Sequence, residues 1–441
     1  MSSRITARRG FLLAGGATVF VLIFLYMGVH AFLSDHLSIP EADLSSDSSL
    51  VLIESDTLVQ DSLPKEFSAL LNYTSSIDTA AGSSGAFIID TSYVANPRGM
   101  QVGGRKVSLA VCGVDSRAGE RVEHADANHV ITVWLDSGWV DIISIPRDTP
   151  CDAGFPGKSR LNNLSNLRAR KGRDVYLREV AAIAGLDTIE YYIDLGFSQA
   201  RGVLELLGFK ENSADALRVL RSRRIFASGD FQRSFNQGQF MRQMLLKQFG
   251  RLEGISGNLL LRAGLYMVGT NLTMDDAERI AAELRAKGFP KNSSDVIVSI
   301  RPAYYAKMAV FNFNDSAAFG GLVRKVNEKT ATVQKGGTGG NGSIDSTMIR
   351  FHTGLVHMIA KAAADSAKLP VRVIANLRRP FEQRIWWQIA DREERGRIRR
   401  ELGALLAAAY TRTGKVDDAG RVREVVRFEE EMFAASRQGN P

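Results

Sequence analysis

Short apolar runs at 107–112, 130–135 and 140–145 are dense in Val, Ile and Leu, and Asp136-Ser137-Gly138 separates the last two. Runs of this length bounded by turn residues predict β-strands, the last two joined as a tight hairpin. Further on, apolar positions recur every three or four residues over 174–184, 198–207 and 237–249, the spacing of helices with one buried face. Strands followed by helices predict an α/β domain: a central mixed sheet flanked by helices. In the hairpin, the start of one strand lies beside the end of the next, so Asp126 and Arg147 share a sheet edge. If the first strand runs parallel to the third, Asp115 reaches the same edge, where ligands gather in open sheets.

Outside this domain the pattern changes. Residues 10–33 carry no charged side chain and are rich in Phe, Leu, Val and Ile, preceded by Arg4, Arg8 and Arg9. As a helix they span about 36 Å, enough for a bilayer. A cleaved secretory signal with a site near Val29-His30-Ala31 is the competing reading, but its apolar core would be shorter, so an uncleaved transmembrane anchor is expected. No Lys or Arg occurs between Arg9 and Lys65, whereas seven acidic residues do. The positive-inside bias then places the N-terminus in the cytoplasm and the bulk of the chain outside.

The expected organisation is an anchor over 1–33, a stalk and approach segment over 34–104, the α/β domain over 105–328, a Gly-rich linker and connecting segment over 329–379, and a C-terminal helical hairpin region over 380–441. The stalk begins rich in Ser, Asp and Glu. The glycines of 336–342 lack the preceding strand and following Lys-Ser/Thr of a phosphate cradle and read as a linker. Near the C-terminus, 402–419 resembles one tetratricopeptide unit; a single such hairpin cannot bury its own face and is expected to pack on the main domain or on a partner. The arginines between Arg378 and Arg400 read as a solvated helix face.

Composition adds little. The chain of 441 residues is 45% hydrophobic and 24% charged, ordinary for a folded protein, and its net charge is +8. Outside a membrane that charge points to anionic lipids or glycans rather than nucleic acid. Only Cys112 and Cys151 are present, flanking the motifs described next. A disulfide is open to them, but two separate thiols are expected.

Two motifs carry the chemistry: GVDSR at 113–117 and SIPRDT at 144–149. Arginine offers a planar, permanently charged fork that fits phosphate oxygens, and carboxylates beside it suggest a bound cation, together a site for pyrophosphate with Mg²⁺. Downstream, LRSRR places Arg221 and Arg223 two apart, and DFQR at 230–233 is followed by Gln237, on one helix face with Arg233.

In this order the motifs, together with KSRLNN at 158–163 and IEYYIDLGF at 189–197, resemble the LytR-CpsA-Psr family. Its members are membrane-anchored extracytoplasmic enzymes that move cell-wall glycopolymers from a polyprenyl pyrophosphate carrier onto peptidoglycan. The resemblance implies that Asp115 and Asp126 hold Mg²⁺, that Arg147, Arg221, Arg223, Arg233 and Gln237 bind the pyrophosphate and its first sugar, and that Arg117 and Asp148 orient this shell. Asp115, Asp126 and Arg147 are then the catalytic set, with Asp115 as base. The family's lipid tail enters an apolar cleft, for which 203–209 and 241–249 supply walls.

The chain departs from the family pattern in places. His124 stands where an arginine is usual, with Arg121 as a replacement nearby, and Asn236 and Gly238 replace an Arg and a Gln beside Gln237. The expected activity is an Mg²⁺-dependent glycopolymer phosphotransferase of the cytoplasmic membrane, its partners a lipid-linked glycan and an envelope glycan acceptor. A polyprenyl-pyrophosphate pyrophosphatase and a non-catalytic module binding lipid-linked glycan are the alternatives.

Overall fold

The structure is a computed structural model that describes residues 104–115, 123–205, 213–222, 229–249, 262–302, 308, 310–315, 319–328 and 344–438. The expected anchor, the stalk and the Gly-rich linker lie outside the described residues, as do Arg117, Arg121 and Arg223. Among the described residues no helix is long and apolar enough to cross a membrane.

Six strands form one mixed sheet: β1 (Lys106–Asp115), β2 (His124–Trp134), β3 (Trp139–Ile145), β4 (Tyr191–Gly196), β5 (Gly269–Thr270) and β6 (Val296–Ile300), in the order β5-β4-β1-β2-β3-β6. β2 runs antiparallel to both β1 and β3, so β1 and β3 are parallel, as the motif placement required. The β2–β3 hairpin turns at Asp136-Ser137-Gly138, where Gly138 has φ +74°, a backbone state that a residue without Cβ adopts at no steric cost.

Alternation along β1 and β2 buries both faces of the sheet. Cys112, Val114, Val130 and Ile145 meet Leu164, Leu167, Tyr176 and Val180 of helix α1 (Leu164–Ala184) on one side. On the other, Leu109, Val111, Ile131 and Val133 pack under α2 (Phe197–Leu204), α3 (Ser213–Arg221) and α4 (Gly229–Gln248). Both predicted layers of helix are present, and α1 begins ten residues earlier than the apolar spacing indicated, capped by the Asn163 side chain on the Asn166 amide. Gly238 lets α4 lie close to the sheet: a Cβ there would sit 2.4 Å from Ser144 Oγ and 2.8 Å from Val298 Cγ1.

The C-terminal part forms α6 (Ile344–Asp365), α7 (Pro370–Glu382), α8 (Arg392–Arg412) and α9 (Val416–Gln438), after α5 (Met274–Ala286) of the main domain. These helices dock on α2 and share its core. Trp386 and Trp387, on a short turn at Ile385–Gln388, are wholly buried. Trp387 lies so near α2 that a Cβ on Gly202 would come within 2.7 Å of its ring. Arg201 donates to the Gln388 carbonyl at 2.8 Å, and Gln388 Nε2 donates to Ser198 Oγ at 2.7 Å. The arginine-rich stretch is not simply a solvated face: Arg384, Arg395 and Arg399 are buried against Glu429 and Glu205, while Arg378 and Arg400 face solvent.

Candidate functional site

β1 and β2 lose register where the site begins. Gly113 pairs with Ala127 but Val114 pairs with Ala125, so Asp126 is one residue too many for the ladder. Such a bulge turns a side chain out of strict alternation. Ala125 is buried on the α1 side and Ala127 faces the opposite side, and Asp126 is delivered to that second side, where it lines a cavity with Asp115. Gly113 makes the crossing possible, since a Cβ on it would stand 2.7 Å from that of Ala127.

The cavity has a volume of about 140 Å³ and lies between the ends of β1 and β2 and helices α2, α3 and α4. Its mouth is polar: Asp115, Asp126, Arg221, Arg233 and Gln237 all reach it. Its interior is apolar, walled by Val203, Leu204, Leu217, Leu220, Phe240 and Met241. Parts of both expected walls are there, joined by α3, which the sequence reading left out. One turn of helix separates Arg233 from Gln237 and another separates Gln237 from Met241, so one stripe of α4 passes from the charged mouth to the greasy interior.

A closed ring of contacts fixes the mouth. Arg147 Nη1 donates to Asp126 Oδ1 at 2.6 Å, Arg233 Nη2 donates to the Asp126 carbonyl at 2.8 Å and pairs with Asp230 Oδ1 at 2.5 Å, and the Arg147 amide donates to Asp230 Oδ2 at 3.0 Å. Burial works against the Arg147 charge, yet the bond to Asp126 outweighs it and raises the guanidinium's pKa above its ordinary value. Arg147 also approaches Asp148 at 3.4 Å. The chain leaves the sheet into a turn after Ile145, so these neighbouring side chains need not point apart as they would along a strand. Arg147 reaches the cavity through Asp126 and does not itself line it.

Asp115 ends β1, half exposed, with Arg221 Nη2 3.7 Å away; Arg221 closes α3 and lies over the Phe197 ring at 4.9 Å. Gln237 donates to the Leu220 carbonyl at 2.9 Å and meets His129 Nε2 at 3.2 Å, while His129 Nδ1 meets Ser144 Oγ at 3.0 Å. Burial lowers the His129 pKa to about 4, so the ring is neutral near pH 7. Its Nε2–H donates to Gln237 Oε1 and Nδ1 accepts from the Ser144 hydroxyl, the arrangement in which every atom is satisfied. Asp230, His129 and Phe197 were not singled out from sequence; Asp230 sits inside the DFQR motif and Phe197 ends IEYYIDLGF, whereas nothing local marks His129.

The departures from the family pattern have structural answers. Gly238 faces the sheet rather than the cavity, and Asn236 is buried with its Oδ1 accepting from Gln232 at 2.7 Å. Neither lines the cavity, so these replacements take no donor from its mouth. His124 pairs with Asp115 across the strands.

Two carboxylates, Asp115 and Asp126, line the cavity, and among the described residues no group of three or more His, Cys, Asp or Glu is disposed to hold a metal. That donor set fits Mg²⁺, which binds through one or two carboxylates and completes its shell with water and substrate phosphate. Cys112 and Cys151 are separate thiols, and burial pushes Cys112 up to about 12 and Cys151 to about 11.

The LytR_cpsA_psr family model matches residues 84–208. A curated relative from Bacillus anthracis, named polyisoprenyl-teichoic acid–peptidoglycan teichoic acid transferase TagU, is 27% identical over 213 residues, which cover 43% of this chain and 68% of the relative. The protein of the same name from Bacillus cereus strain ATCC 14579 is 26% identical over 211 residues, covering 43% and 67%. Among solved structures, B. subtilis TagV aligns with a TM-score of 0.37 at 15% identity, over 52% of this chain and 98% of that one. Motif order, family model and curated relatives agree in identifying a LytR-CpsA-Psr domain within this chain, matched over residues 84–208.

Proposed function

We propose that this protein is a membrane-anchored, extracytoplasmic phosphotransferase that moves a glycopolymer from a polyprenyl pyrophosphate carrier to an envelope glycan. The observation that carries the reading is a polar mouth of Asp115, Asp126, Arg221, Arg233 and Gln237 set directly over an apolar interior. A lipid pyrophosphate has the same division: a doubly anionic head and a hydrocarbon tail. Names of the curated relatives, which join a polyisoprenyl-linked polymer to peptidoglycan, support the same class of substrate.

In the proposed reaction an acceptor hydroxyl attacks the glycosyl-linked phosphorus. A new P–O bond forms, the P–O bond to the bridging oxygen breaks, polyprenyl phosphate leaves, and the hydroxyl proton passes to a base. Asp115, the more exposed carboxylate, is the candidate acceptor of that proton. Arg221 and Arg233 are held in place before substrate arrives, so they stabilise charge that grows on the leaving phosphate with little reorganisation. Mg²⁺ held by Asp115 and Asp126 would neutralise pyrophosphate charge.

The test is transfer of glycan from a polyprenyl pyrophosphate donor to peptidoglycan by the full chain, with and without Mg²⁺. Transfer that is lost in Asp126→Ala supports the reading. Release of free glycan phosphate without acceptor coupling would instead indicate a pyrophosphatase, and donor binding with no turnover a binding module.

A further inference from the structure

A second cavity, about 690 Å³, opens on the seam where the C-terminal helices meet the α/β domain. That volume is in the range of sites for small ligands and oligosaccharide units. It adjoins the first cavity: Val114 and Gly196, which pair across β1 and β4, line both. Asp115 is the next residue along β1, so the two cavities adjoin at the end of that strand.

The seam is lined by six basic side chains, Arg173, Arg378, Arg379, Arg384, Lys415 and Arg421, and four acidic ones. All four carboxylates already have arginine partners: Glu123 with Arg168 and Arg379, Asp194 with Arg168 and Arg173, Glu382 with Arg378, and Asp418 with Arg421. Among the described residues the Lys415 ammonium has no carboxylate within ion-pair distance. The lining cation without a carboxylate partner therefore sits at the rim, on the exposed α8–α9 turn, beside the exposed Arg421 of α9. Gln199, Gln383 and Tyr410 add neutral hydrogen-bonding groups. Paired arginines and carboxylates offer donors and acceptors to hydroxyls, and Lys415 offers a place for an anion.

We propose that this seam binds the acceptor as a carboxylate-bearing glycan and directs one of its hydroxyls toward Asp115. The inference rests on the transferase reading above and assigns the C-terminal helices a part in choosing the acceptor.

The test uses the full chain and two probes: a soluble peptidoglycan disaccharide-peptide with free carboxylates, and an uncharged chito-oligosaccharide of similar size. Calorimetry is expected to show at least tenfold tighter binding of the charged probe. Lys415→Glu with Arg421→Glu, both on the exposed rim, should weaken it at least tenfold with an unchanged thermal midpoint, and Lys415→Arg with Arg421→Lys should restore it. Affinity for a polyprenyl pyrophosphate should stay the same in all three proteins. Equal affinity of the charge-reversed protein for the charged glycan, no binding by the unmodified protein, or tighter binding of an acidic peptide than of the glycan overturns the proposal. Failure of the transferase reading shows separately, as loss of polyprenyl pyrophosphate binding by the unmodified protein.

Discussion

Arg395 on α8 grips Glu205, the residue that follows α2, with both forks of its guanidinium, Nη1 to Oε2 at 2.7 Å and Nη2 to Oε1 at 3.0 Å. Only 2% of the Arg395 side chain is exposed, so this charge has left water altogether. The pair clamps the C-terminal helices onto the helix that walls the first cavity. Removing one partner strands a buried charge, at a cost of roughly 3–5 kcal/mol, whereas replacing both with apolar residues costs far less. Glu205→Ala is expected to lower the urea midpoint markedly, and Arg395→Met with Glu205→Leu to recover most of it.

Gly238→Ala tests how closely α4 approaches the sheet. In an open helix the change would add about 1 kcal/mol of stability through propensity. Here the new Cβ would stand within 2.4 Å of Ser144 Oγ and 2.8 Å of Val298 Cγ1, and overpacking of this kind costs about 1–3 kcal/mol. Net destabilisation by chemical denaturation is expected; a gain would mean that α4 shifts without penalty.

At the mouth, Arg147→Ala leaves Asp126 without its 2.6 Å partner and opens the contact ring. Loss of one preorganised charge at such a centre lowers turnover by about 10²–10³-fold. Steady-state transfer kinetics should show the loss in kcat, and chelation of Mg²⁺ should abolish turnover in the unmodified protein and restore on re-addition.

His129 makes stability depend on pH. Its folded pKa is about 4 against an ordinary 6.5, so the unfolded chain binds more protons between those values and stability rises with pH across the window. The contribution, roughly 3 kcal/mol at most, is complete above about pH 6.5 and lost as pH falls toward 4. His129→Gln should flatten that part of a thermal-midpoint profile between pH 4 and 6.5.

The apolar interior has its own probe. Leu217→Trp fills space between α3 and α4 with a larger ring. The KM for a long-chain polyprenyl donor should rise about tenfold or more, by loss of buried chain area, while a short-chain analogue is less affected. An equal effect on both would place the tail elsewhere.

Much of the fold was legible along the chain. Val and Ile runs bounded by Asp-Ser-Gly gave the β2–β3 hairpin, and helical spacing gave α2 and α4, because period and turn chemistry are local properties. Strand direction put Asp115, Asp126 and Arg147 at one sheet edge and the family resemblance added Arg233 and Gln237; all of these but Arg147 line one cavity. The separation of Arg233 and Gln237 by one helical turn was equally readable.

Other features depended on residues distant in sequence. The bulge that aims Asp126 arises from a mismatch between two strands, the tie from His129 to Gln237 joins a strand to a helix 108 residues later, and the pairing of Arg395 with Glu205 spans 190. Arginines in a polar-looking stretch became core residues because a carboxylate waited on another element, something that no window of α8 reveals. Sequence determined the first three strands, helices α2 and α4 and the edge at which the motifs gather, since these follow from near neighbours; which charges are buried, where the bulge falls and what the C-terminal helices cover were decided only when distant segments packed.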